Sequence, residues 1–591
     1  MAARVAPLIG RDPAPYAREA DLISRAMQKY LWLPDQGHFA EFKDYLGLQL
    51  VHPNAALWTF YHTMDSEIPT PLEAWQMSCW VDHHLARIPI SFPGGNRREA
   101  AQTQSSIRPG LLTPVAAENP FILPTTSWMP YQWSLNNVVV AESAHAALGY
   151  WQANRPATAF ALFKGTLLDT MYGGLCPGND GCMTRHDMAR GEAQRDFGDG
   201  IGAVSRALVE GLFGVKPDAL AGELKIVPGF PADWKFASIR HPDFSFAFRR
   251  DGLAETYSVE SRFSRPMKLI VQIPALRNEI AGVAVDGRPA RGTWVDGIFG
   301  QPRLEVRGDA AKNWEVRVKW KGAFPAVRFP PEILQTAAPP AATFDWSTNL
   351  SGEQFETVKL APYFNDRVTQ IFRNEYLSPR SPYCSLATPK QGIGSWCHPQ
   401  DRFDVDDSGL RALAAKAGDK IILPDGVPLA TPGEADAKNV VFVSQWDNYP
   451  REASVPLAGK ASHAFLLLAG STDAMQSRFD NGEIIVTYAD GTPARLALHN
   501  PTTWWPIEQD YYIDDFAFAR PEPLPVRVDL KTGKIRVLEM NAFKGRGGVV
   551  PGGAATVLDL PLDATRELKS LTVHALANEV VIGLMSVTLQ R

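Results

Sequence analysis

The segment Arg190-Gly191-Glu192-Ala193-Gln194-Arg195-Asp196-Phe197-Gly198-Asp199-Gly200-Ile201-Gly202 places three carboxylates and two arginines in a glycine-punctuated loop that runs into a helix. Breaking a glycosidic bond takes one carboxyl group to donate a proton and another to activate water or attack carbon. Arginines and a helix N-terminus shift the pKa values of such groups. Glu192, Asp196 and Asp199 are therefore candidate acid/base groups, with Arg190 and Arg195 orienting them. A plain capping network at a helix start would use the same residue types. The glycines at 191, 198, 200 and 202 favour the functional reading, because they let a ligand approach the backbone closely.

Other segments carry compatible chemistry. In Trp32 to Tyr45 aromatics alternate with acids: Trp32 as a stacking platform, Glu41 as a second proton donor and Asp44 as a partner for sugar hydroxyls. The same stretch also reads as a structural hairpin between two helices. Thr125 to Asn137 combines Trp128, Tyr131, Trp133 and Asn136, which suit uncharged hydroxyl recognition or, equally, a core-packed aromatic corner. Glu142 and His145, one turn apart on the next helix, read as a satisfied buried polar pair. The glycine-rich run Gly173 to Gly181 lacks the Lys-Ser/Thr end of a phosphate-binding loop and is read as the rim of the same site. Asn500 to Asp515 is either a carbohydrate-binding face or, the favoured reading, an aromatic-rich loop packed across a sandwich. Asp404, Asp406 and Asp407 do not complete a calcium-binding pattern. Cys176 and Cys182, and likewise Cys384 and Cys397, are close enough in sequence to pair, but buried or free thiols are the favoured reading; Cys79 makes the count odd. No zinc spacing is present, and no metal or cofactor is assigned.

The elements that position these groups follow from periodicity. A chain of 591 residues needs about three domains. A net charge of −5 gives no electrostatic case for nucleic acid or an anionic membrane. Residues 1–215 read as about six helices in three hairpins: Tyr16 to Leu33, a helix capped by Asn54 through Met64, Thr70-Pro71-Glu73 through Arg87, Ser134 to Ala153, Pro156 to Met171, and Gly202 to Phe213. From Glu223 the period becomes two, so residues 216–328 are expected to form an antiparallel β-sandwich. A Pro/Ala linker at 329–345 precedes a second β-rich region, 346–591, with a hairpin signature where Asn481-Gly482 and Asp490-Gly491 flank Glu483 to Tyr488, and tail strands at Lys569 to Ala575 and Glu579 to Leu589. The apolar run His463 to Gly470 is far too short to span a bilayer, and Met1 to Tyr16 carries no signal-peptide core.

Trp32 to Gly47, Trp133 to Trp151, Gly191 to Gly214 and the Leu224 to Trp234 exit, in this order, resemble the six-hairpin glycosidases, and most of all an uncharacterised bacterial branch found with polysaccharide-degrading systems. Met188 to Asp196, Asn365-Asp366 and Trp504-Trp505-Pro506 carry the likeness to that branch. The resemblance implies an (α/α) toroid followed by a β-sandwich, an inverting glycoside hydrolase acting on oligo- or polysaccharide, and a periplasmic or secreted location. It implies that Asp199-Gly200 positions the water, and leaves Glu192 and Glu41 open as proton donor. About six helices are half of a complete toroid, so the chain is expected to be the C-terminal half of such an enzyme, completed by an upstream segment, a partner or self-association, or else a remnant. A polysaccharide lyase, using Tyr131, Asn136, His145, Arg185 and His186, and a non-catalytic carbohydrate-binding subunit are the alternatives.

Overall fold

A computed structural model describes residues 1–45, 47–90, 119–128, 138–173, 198–333, 350, 352–374, 376, 403–472, 476–510, 524–537 and 549–591. The chain is mostly β, with 36% of residues in strands and 23% helical. This overturns the expected toroid. Among the described residues there are eight α-helices, the longest being the 17-residue Ala14–Tyr30, and they do not form a ring of six hairpins. Periodicity revealed the helices one by one but not how they would associate. Ala14–Tyr30 is amphipathic yet buries no residue, so it rides on the surface rather than closing a ring.

The helices that matter for the site pack together. Leu57–Asp65 and Gly198–Arg206 flank Val140–Gln152, which also packs against Pro156–Leu168. Pro71–His84 starts with a capping box: the Thr70 hydroxyl accepts from the Glu73 N–H, and Glu73 accepts from the Thr70 N–H at 2.7 Å. Asn54 is not the cap of the preceding helix, whose N-cap is Ala56. Instead the Asn54 carbonyl accepts from Trp128 Nε1.

The sandwich forms as expected, from a six-stranded and a five-stranded sheet. Alternation in Phe244–Asp251 puts Phe244, Phe246 and Phe248 in the core and Ala247 and Arg249 outside. One pair departs from the antiparallel rule. Glu223–Ile226 pairs in parallel with Met267–Pro274, because the chain crosses to the other sheet through three strands before returning. Helices and sandwich share one continuous core, joined by Trp151. Its indole N–H donates to the Gly229 carbonyl at 3.0 Å. A Cβ at Gly211 would stand 2.2 Å from the Trp151 ring and one at Gly229 2.4 Å from it, so both positions must be glycine.

The C-terminal region is layered around His463–Thr472 and Val580–Gln590, which pair antiparallel at the centre of a seven-stranded sheet. Ala464, Leu466 and Leu468 pack on one side, against the four-stranded sheet; Phe465, Leu467 and Ala469 pack on the other, beside the helix Ser408–Lys416. Burial on both faces explains why this strand is continuously apolar. Asp490-Gly491 forms the turn between Asp480–Tyr488 and Pro493–His499, whereas Asn481-Gly482 lies inside the first strand at a register shift and forms no turn. No described helix is long and apolar enough to cross a membrane.

Candidate functional site

Three helices present a polar seam. Trp58, Tyr61, His62 and Asp65 lie on one face of Leu57–Asp65, at i, i+3, i+4 and i+7. Glu142 and His145 lie on Val140–Gln152, and Asp199 and Arg206 stand at the two ends of Gly198–Arg206. At one end the Arg206 guanidinium grips Asp65 with two bonds, at 2.5 and 2.7 Å, and also holds Glu210. Burial penalises the Asp65 carboxylate, but the Arg206 and Gln152 hydrogen bonds outweigh it and hold its pKa below the usual range.

Tyr61, Glu142, His145 and Asp199 lie at the other end. Tyr61 donates its hydroxyl proton to Glu142 Oε2 at 2.5 Å, and its ring lies 5.0 Å from that of His145. Burial pushes the Glu142 carboxyl up, against the Tyr61 hydrogen bond, and the charge of nearby Asp199 pushes it further. Burial, then the Glu142 charge, pushes the Tyr61 phenol up as well, so it stays protonated and can only donate that bond. His145 is drawn down by burial and then by Arg206, which favours the neutral imidazole. Asp199 is exposed in the first turn of its helix. No described atom comes within 4 Å of a Cβ built on Gly198 or Gly202, so the space beside these two glycines is open among the described residues.

Glu41 comes to the same place from a hairpin. Phe42–Lys43 pairs with Val51–His52, and the Glu41 N–H donates to the His52 carbonyl. The Glu41 carboxylate then accepts from the Ala56 N–H at 3.1 Å, Trp58 Nε1 at 2.6 Å and the Thr59 hydroxyl. It therefore caps the helix Leu57–Asp65 from outside and fixes Trp58. Its charge also bears on Tyr61. A carboxylate with three donors is placed to orient others rather than to give a proton.

Asp199 and Glu41 thus reach the surroundings of Tyr61 and Glu142. Asp44 does not; it is buried and accepts from His52 at 2.9 Å, and His52 stacks on Phe42 and meets the Phe479 ring edge-on. Trp128 is 1% exposed, packed edge-on against Trp58, and offers no face to a ligand. Trp32 packs edge-on against Phe39 in its own hairpin, Trp32–Leu33 with His38–Phe39, at the border of the core. Glu192, Asp196, Trp133, Asn136, Arg190 and Arg195 lie outside the described residues, as do Tyr131, Arg185, His186 and the four cysteines other than Cys79. Sequence reasoning set Glu142 aside as half of a satisfied pair with His145 and did not reach Tyr61. The available signal was a glutamate directly after the apolar run Val138-Val139-Val140-Ala141, where burying a carboxyl demands a partner.

In the C-terminal region Trp504 and Trp505 are each 1% exposed, so these two rings pack the interior and offer no open platform. Asp404 pairs with Arg373, Asp406 accepts from the Ser408 N–H, and Asp407 is buried between Arg411 and Asn439. No group of three or more His, Cys, Asp or Glu among the described residues could hold a metal. No protein-family model matches the chain, and no curated protein matches it.

Proposed function

We propose that this chain is a glycoside hydrolase in which Glu142 is the proton donor and Asp199 the carboxylate that activates water, with Tyr61 and Glu41 as positioning residues. The observation that carries the reading is a buried glutamate, hydrogen-bonded by Tyr61, beside an exposed aspartate: burial raises the Glu142 carboxyl above its ordinary value and the charge of Asp199 raises it further. Such a pair divides the labour of acid and base. The reading rests on these carboxylates and not on a toroid. Glu142 gives its proton to the glycosidic oxygen as the bond to the anomeric carbon breaks; Asp199 takes a proton from the water that attacks the opposite face. An inverting outcome calls for carboxyl groups about 6.5–9.5 Å apart. Trp58, half-buried and held by Glu41, supplies an aromatic edge on the same helix as Tyr61. Clustered carboxylates also argue against a lyase, since a uronate would be repelled there.

The test is cleavage of a panel of neutral oligo- and polysaccharides by the full chain and by Glu142→Gln and Asp199→Asn. Loss of turnover by roughly 10²–10⁴-fold in each variant, with sugar binding kept, is the expected result. Full activity in Glu142→Gln removes Glu142 from the mechanism. An ultraviolet-absorbing unsaturated product would assign elimination instead of hydrolysis.

A further inference from the structure

A second hollow, of about 330 Å³, lies where the helices meet the five-stranded sheet, and its floor is cationic. Lys216 on Val215–Asp218 stands directly opposite Lys225 on Glu223–Ile226. Like charges in directly opposed cross-strand positions destabilise a sheet, yet both side chains line this hollow. Strand register brings Gln272, Glu305 and Arg303 onto the same face: Lys225 pairs with Ile270, two residues before Gln272, Gln272 with Glu305, and Pro274 with Arg303. Arg303 and Gln272 also line the hollow.

None of the three cations is in an ion pair among the described residues. Arg303 is 8% exposed, and its Nε and Nη2 both donate to a single neutral acceptor, Asn154 Oδ1, at 3.0 and 2.6 Å. Its Nη1 has no hydrogen-bond partner among the described residues. Burial pulls the guanidinium down to about 10, still charged at neutral pH. Burial likewise lowers the Lys216 ammonium, opposed by Glu210 and reinforced by Lys225. The nearby carboxylates are committed or exposed. Glu305 accepts from Gln272 and Arg307, Glu210 is gripped by Arg206, and Glu67 sits at the solvent edge. Glu67 and Glu210 share the lining with Lys216, Lys225 and Arg303, but the cations outnumber them and Arg303 meets no carboxylate among the described residues, an electrostatic arrangement that an anion completes.

We propose that this hollow binds the oxyanion group of a small organic molecule, a carboxylate or a phosphate ester, held by Lys216, Lys225 and Arg303. Gln272 and Trp151 also line the hollow and border the rest of the ligand. The hollow adjoins the Asp65–Arg206 end of the seam through Gln152 and Glu210, and its lining includes neither Glu142 nor Asp199, so the proposal stands whether or not that seam is catalytic.

Calorimetric titration of the full chain at low ionic strength tests it, with glucuronate, glucose 6-phosphate and inorganic phosphate as probes and glucose as the neutral control. Saturable binding of at least one anion is expected, with none for glucose. A preference for glucuronate assigns a carboxylate ligand, a preference for glucose 6-phosphate a phosphate ester, and binding of phosphate alone the inorganic ion. Lys216→Gln and Lys225→Gln should each weaken binding by about tenfold, the loss of one charge-assisted contact. Both lysines are partly exposed, and removing either relieves the like-charge pair, so folding is retained; Arg303→Lys is the third variant, keeping the charge but losing the planar fork. Absence of binding by all three anions, or equal affinity in the lysine variants, overturns the proposal.

Discussion

Glu41 and Glu142 show how neighbours decide what a carboxyl group can do. Glu41 has three donors and is spent on a helix start and an indole; Glu142 has one phenol, little water and a second charge beside it. Sequence reasoning singled out Glu41 and Asp199 from their glycine- and aromatic-rich contexts. It undervalued Glu142 because an isolated Glu–His pair on an apolar helix is usually a satisfied one, and the phenol that distinguishes it comes from a helix some 80 residues earlier (|i−j| = 81). Trp128 shows the reverse error, since tryptophan content alone does not separate a platform from a core. The same physics gives a stability test at Glu508, which is fully buried with Ser471 as a hydrogen-bond donor. Burial pushes its carboxyl up from 4.5 to about 7. A carboxyl raised on folding contributes stability that is fully present below its unfolded pKa and lost as the pH rises through the folded value. Stability should therefore fall between about pH 4.5 and 7, by up to about 3 kcal/mol. Glu508→Gln should flatten that slope in urea unfolding followed across the window; an unchanged slope would mean Glu508 is not its source.

At the scale of elements, several of the longer strands were legible and the helix association was not. Alternation is readable in Asn313–Lys321, whose every second residue, Trp314, Val316, Val318 and Trp320, lies in the core. The central pairing of His463–Thr472 with Val580–Gln590 left no alternation to read, since both faces are buried. Within the sandwich, Glu255 ties three strands: Arg250 at 2.7 Å, Trp320 Nε1 at 2.8 Å and Tyr257 at 3.1 Å all donate to it, and it is 1% exposed. Replacing it with alanine strands a buried indole N–H and a largely buried guanidinium. Glu255→Ala should cost about 3–5 kcal/mol. Thr70→Ala, which removes only one side of a capping box at the surface, should cost about 1 kcal/mol. Chemical denaturation of the two variants should preserve that order; a Glu255→Ala variant as stable as Thr70→Ala would show that water satisfies the hub.

For the whole molecule, the joints matter more than the parts. The helices and sandwich share Trp151, and the C-terminal region reaches the hairpin behind Glu41 through Phe479 against His52 and through Arg478 Nε to the Ser127 carbonyl at 3.1 Å. The glycines at 211 and 229 were visible in the sequence, but only the fold shows that one indole requires both. Gly211→Ala drives a methyl into that ring and should cost about 1–3 kcal/mol. Its thermal unfolding should bring the helices and the sandwich down in one transition. Separate transitions for the two in the parent chain would contradict a shared core.

The account stands or falls on the ionisation of Glu142, which can be read without knowing the substrate. Infrared carboxyl difference spectra across pH, using Glu142→Gln as the reference, should show a group titrating above the ordinary glutamate value. Asp199→Asn should bring that titration down, because it removes the charge that helps to hold the proton. An ordinary Glu142 titration that ignores Asp199→Asn would contradict the acid/base pair.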